Sequence, residues 1–178
     1  MSFHNKIDKQ VGTGAGQRAL TPVHCGAEWL VGVGFRCWLA GYDTGDISCW
    51  ENGWNAYNRL LGPSRAKRAV TELACWVRAV RSSASRKIEY RPFGHAGFCP
   101  DECMAISLIA ASQHHRCPAM RACALALTGS DVVDPVIDAA NAFADALQDA
   151  DQRLSQEAVS ALMARTRKGG GDGFADRC

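Results

Sequence analysis

Four of the nine cysteines and three of the five histidines fall between His95 and Cys123, in the run HAGFCPDECMAISLIAASQHHRCPAMRAC. This is about threefold more than an even spread would place there, by the counting used for cysteine spacing. Cys99 and Cys117 each stand directly before a proline. A proline at the first helical position would make each cysteine an N-cap, where the helix dipole stabilises a thiolate and lowers its pKa. Cys103 follows Cys99 by four residues, within reach of the same side of the first turn. Cys123 lies six beyond Cys117 and is turned well round its helix, so His114 is the alternative fourth ligand. Thiolates with imidazole suit zinc, and four thiolates suit an iron–sulfur cluster. The candidate ligand set is therefore Cys99, Cys103, Cys117, and Cys123 or His114.

Two other readings compete for the same residues. Free cysteine is among the most buried residue types, so the four thiols are equally read as small core hydrophobes. Neither C-x3-C nor C-x5-C is a strong zinc spacing. A thiol-dependent redox enzyme is the third option. It is weakened because the chain contains no CxxC pair, and because nothing in the sequence supplies an orienting group or an oxyanion hole for a Cys–His pair. An enzyme is thus the less favoured class.

The elements that must hold these residues read as helices. AEWLVGVGFRCWLAGY, 27–42, puts Leu30, Val33, Cys37 and Gly41 on one side, although its internal glycines make it dependent on tertiary packing. In ISCWENGWNAYNRLLG, Trp50, Trp54, Tyr57 and Leu61 form one stripe, either a packed face or an aromatic docking face. Gly62-Pro63 separates it from a helix whose apolar face is Val70, Leu73, Ala74, Val77 and Val80. RKIEYRPF, 86–93, is the one plausible extended piece; a lone strand makes no sheet, so it reads as a connector. Helices are expected at 100–114 and 118–128. Another starts at Asp134-Pro135, with Asp134 as N-cap. Its seam of Val136, Ala140, Phe143, Leu147, Ala150 and Leu154 either runs on through Ala158 and Ala161 or breaks at Ser155.

The expected fold is an all-α, single-domain helical bundle of about five to six helices spanning 24–167. A flexible N-terminal arm, 1–23, and a disordered tail, 168–178, are expected to flank it. At 178 residues and 47% hydrophobic content the chain can bury a real core. No apolar run approaches the roughly 18 residues of a membrane span. The polar, Gly-rich start lacks an apolar signal region, so the cytoplasm is the expected compartment.

Net charge is only +2, but it is unevenly distributed. Residues 59–91 carry nine Lys or Arg against Glu72 and Glu89, whereas 131–157 carry seven acids against Arg153. Arg65, Lys67, Arg68 and Arg78 could follow nucleic-acid phosphates or dock a protein partner. The plainer reading is that the two segments face one another. The sequence therefore leads to a small helical accessory or regulatory protein with a testable metal–thiolate site. The alternative is a cofactor-free interaction module using the basic helix and the aromatic stripe.

Overall fold

The computed structural model describes residues 26–157 and 160. The expected arm 1–23 and tail 168–178 lie outside these residues. Six helices follow in order: α1 (Ala27–Thr44), α2 (Ile47–Leu61), α3 (Pro63–Ser83), α4 (Pro100–Gln113), α5 (Cys117–Thr128) and α6 (Asp134–Asp149). No strand occurs among the described residues. The all-helical architecture is as expected.

Local chemistry sets the boundaries. Asp46 caps α2 by accepting from the Ser48 amide at 2.9 Å, which satisfies one of the free donors at a helix start. Gly62 turns α2 into α3 at φ 75°, a region open mainly to glycine. Two of the expected caps differ. The N-cap of α5 is Arg116 rather than Cys117, and that of α6 is Val133 rather than Asp134. In both, the proline sits one position further into the first turn, where its missing N–H still costs no helical hydrogen bond.

Two helices form the centre. α1 packs against α2, α3 and α4, and α4 packs against α1, α5 and α6. Both are consequently buried on nearly every side. Leu30, Val31, Val33, Phe35, Cys37 and Leu39 are all buried on α1, as are Cys103, Ile106, Leu108 and Ile109 on α4. The remaining helices keep one polar face. On α3, Leu73, Trp76, Val77 and Val80 are buried, and on α6 Val136, Ala140, Phe143 and Leu147. Trp76 lies between Phe35 and Phe143, with ring centroids 5.3 and 5.5 Å away. The aromatic stripe of α2 faces α1: Tyr57 is buried and donates its hydroxyl to the Leu30 carbonyl, and Trp50 and Trp54 are half-buried against the core. It is thus largely consumed by packing.

The α6 seam breaks. The helix ends at Asp149, and Asp151 takes a left-handed conformation at φ 60°, which aspartate tolerates better than most residues. Gln113, at the end of α4, holds the chain beyond. Its side-chain amide donates to the Gln152 carbonyl at 2.9 Å and its oxygen accepts from the Leu154 amide at 2.9 Å. Leu154 is thereby seated in the core without a continuous helix.

Candidate functional site: the 84–99 connection

Most inter-helix links are short, but the link between α3 and α4 runs from residue 84 to 99. Structureless connections longer than roughly 12–15 residues are uncommon in compact domains and are usually functional. This one is held from beneath by a buried ion pair. Arg36 on α1 and Glu102 on α4 are 2% and 0% exposed, and they meet through two contacts, at 2.8 and 3.1 Å.

The remaining valences of the pair all go to the connection. The Arg36 guanidinium donates to the carbonyls of His95 at 3.0 Å and Gly97 at 2.7 Å, with a longer contact to that of Pro92 at 3.4 Å. The Glu102 carboxylate accepts the amides of Arg91 at 3.1 Å and Cys99 at 2.8 Å. Phe98 lies over the same guanidinium, 5.1 Å from its ring centroid. Asp101 adds a second anchor by accepting the Glu89 amide at 2.8 Å while binding Arg86 through both oxygens. A long loop thus has its shape fixed by two charged side chains on the two central helices.

An open cleft of about 610 Å³ runs along the connection, lined by residues 87–91 with Asp43, Cys99 and Pro100. The Tyr90 hydroxyl contacts Asp43 at 3.2 Å. Burial and the Asp43 carboxylate both push the Tyr90 phenol above its ordinary pKa. Phe93 projects from the same connection and is 48% exposed.

The sequence-derived ligand set is dispersed. Cys99 is buried at the N-terminus of α4, and its thiol donates to the Glu89 carbonyl at 3.2 Å. Cys103 is buried one turn on. Cys117 is exposed at the start of α5, beyond the opposite end of α4. A helix of that length is about 21 Å long, whereas ligands of one zinc ion all lie within about 2.3 Å of it. Cys123 is half-buried and lines a separate cavity of about 190 Å³ with His114. The His114 Nε2 is occupied by the Leu154 carbonyl at 3.1 Å. Among the described residues, no three His, Cys, Asp or Glu side chains are placed to hold a metal ion. Cys99, Cys103, Cys117, Cys123 and His114 are therefore not brought together.

The expected thiolate at Cys99 is also corrected. Burial, and the neighbouring Glu102 carboxylate, raise its pKa, outweighing the amides that would lower it. Burial raises Cys123 as well. The helix dipole is too weak to overcome desolvation and a carboxylate.

The basic residues divide. Arg65 pairs with Asp151 at 3.0 Å, and Arg68 with Asp149. The basic and acidic segments thus face one another where α3 packs on α6. Lys67 and Arg78 remain on the solvent side of α3, Arg78 within 3.8 Å of the Cys75 sulfur. Sequence reading missed Arg36 and Glu102. The available signal was a single arginine inside the apolar run from Trp29 to Leu39.

No protein-family model, curated protein or solved structure matches this chain.

Proposed function

We propose that the chain is a small accessory or regulatory protein that works by binding a protein partner, and that the 84–99 connection is its recognition surface. The observation that carries this reading is the Arg36–Glu102 pair. A buried ion pair contributes little net stability compared with apolar residues of the same volume. Here the pair spends its hydrogen bonds on shaping one exposed loop. A loop fixed before binding loses less entropy when a partner docks. Phe93 supplies an exposed aromatic anchor at its tip.

A protein partner is favoured over nucleic acid because Arg65, Arg68, Arg81 and Arg86 are each already paired with an aspartate. Cys99 enters this reading through its bond to Glu89, which helps shape the loop, and not as a ligand.

The test is affinity purification from the native cell with three baits: the wild-type chain, Phe93→Ala and Val132→Asp. Val132 is exposed in the α5–α6 link, outside the connection, and serves as the control. A partner retained by wild type and Val132→Asp but lost with Phe93→Ala supports the reading. Equal retention by all three baits sinks it.

A further inference from the structure

We propose that residues 87–91 form a ready-made edge strand that takes an extended peptide by strand addition, with acidic side chains of the peptide meeting Lys87 and Arg91. This rests on the reading of the connection as a recognition surface, and it names the class of partner.

The hydrogen bonds of the segment alternate. On one side the Glu89 amide donates to Asp101, the Arg91 amide donates to Glu102, and the Glu89 carbonyl accepts from the Cys99 thiol. The Lys87 carbonyl accepts from Arg86. The backbone groups of Ile88 and Tyr90 form no hydrogen bond among the described residues. In an extended chain the amide and carbonyl of one residue point to the same edge, and those of its neighbours point to the other. The head of α4 thus satisfies the Glu89 amide and carbonyl and the Arg91 amide on one edge, as a neighbouring strand would, and the Arg86 side chain takes the Lys87 carbonyl on the same edge. The edge formed by Ile88 and Tyr90 stays open.

Burial alternates with the same period. Ile88 is buried and Tyr90 half-buried, whereas Lys87, Glu89 and Arg91 are exposed. Period two is the mark of a strand seated on a core, and residues 87–92 contain no turn or bend. An unpaired edge is a template for another chain. A cleft lined by residues 87–91 lies against the same segment.

The charges choose the occupant. Along the exposed face they read positive, negative, positive at Lys87, Glu89 and Arg91. A second copy pairing antiparallel about Glu89, the register that uses all five residues, would set Glu89 against Glu89 and Lys87 against Arg91, and like charges directly opposite are destabilising; a register shifted by two residues avoids this but pairs three residues of the segment instead of five. A foreign strand with the reverse pattern, acidic at its first and third outward positions, meets no such conflict.

The experiment selects phage-displayed random dodecapeptides on the immobilised full chain. The best synthetic peptide is then titrated into the chain while amide exchange is followed. The expected outcome is a peptide without proline, acidic at alternate outward positions, that slows exchange of the Ile88 and Tyr90 amides. Tyr90→Pro, which removes one of those donors, weakens binding about tenfold or more, whereas Tyr90→Phe, which keeps it, stays within about twofold. Circular dichroism confirms that both variants fold. If no peptide is selected, or if binding leaves both amides unprotected, strand addition is overturned. A protein captured through Phe93 and indifferent to Tyr90→Pro would overturn it while leaving the recognition surface standing.

Discussion

Gly32 on α1 lies directly beneath the ring of Phe98. A Cβ at position 32 would come within 3.0 Å of three ring atoms. Arg36, one turn along the same helix, packs its guanidinium against the same ring. The aromatic ring therefore closes the connection onto α1 only because residue 32 has no side chain. Gly32→Ala gains up to about 1 kcal/mol of helix propensity, but overpacking typically costs about 1–3 kcal/mol. We expect a modestly lower unfolding midpoint and faster amide exchange confined to 95–99. Unchanged exchange there would show that Phe98 does not hold the connection.

The Arg36–Glu102 pair separates stability from loop shape. Removing one partner leaves an uncompensated buried charge, at a cost of about 3–5 kcal/mol. Glu102→Leu alone is expected to fall in that range by denaturant unfolding. Adding Arg36→Met should recover most of the loss, because two apolar side chains of similar size replace the pair. The double variant should nevertheless release residues 91–99, whose carbonyls and amides lose their partners. A double variant that is stable and still fully protected in this segment would show that the pair is not what shapes it.

How much of this was legible in the sequence depends on how many sides of each helix are covered. α6 keeps a solvent face, and its apolar spacing identified the buried residues correctly; on α3 the spacing found Leu73, Val77 and Val80 but placed the half-buried Val70 and Ala74 on the face and left out Trp76, the buried ring between Phe35 and Phe143. The opposed charges of 59–91 and 131–157 likewise anticipated Arg65–Asp151 and Arg68–Asp149. α1 and α4 are buried on nearly every side, so no polar face marks their orientation. Cys103, the one cysteine of α4, is fully buried among the packed helices. Glu102 lies in the first turn of α4, where a carboxylate suits the helix dipole whatever its partner, and only the tertiary fold sets it opposite Arg36. The separation of Cys99 and Cys117, by contrast, was already implied by the helix expected over 100–114, which puts them at its opposite ends.

Cys37 should make the protein sensitive to alkali. Burial holds its thiol up to about 12, from an ordinary value of 9.0, despite the adjacent Arg36 charge. A folded-state pKa above the unfolded value favours the protonated form on folding. The contribution is complete below pH 9 and is lost as pH rises from 9 toward 12. The unfolding free energy should thus fall across that window, and Cys37→Ala should make the fall shallower by up to about one proton. In the folded chain at pH 8, iodoacetamide should label Cys117, which is exposed, well before Cys37 or Cys99. Equal labelling rates would contradict the burial described.

Gln113 decides the course of the chain after α6. Its side chain is 8% exposed and bonds both the Gln152 carbonyl and the Leu154 amide, while its own carbonyl accepts from Gln148. Gln113→Leu has a similar volume but offers no donor or acceptor. It would leave a buried amide and a carbonyl unpaired, each costing about 1–3 kcal/mol. The chain has a way to relieve this: Leu154 can leave the core, which exposes the bonded backbone to water at the loss of about 1.5–3 kcal/mol of apolar burial. Either route destabilises the protein by a few kcal/mol. The two are told apart by amide exchange at Leu154 and Ser155, which stays slow if the segment is retained and becomes rapid if it detaches. Glu28, which accepts the Ser155 amide at 2.9 Å, provides the check. Glu28→Ala, which removes that acceptor, should leave Leu154 protected, because the polar grip on that residue comes from α4 and not from the start of α1.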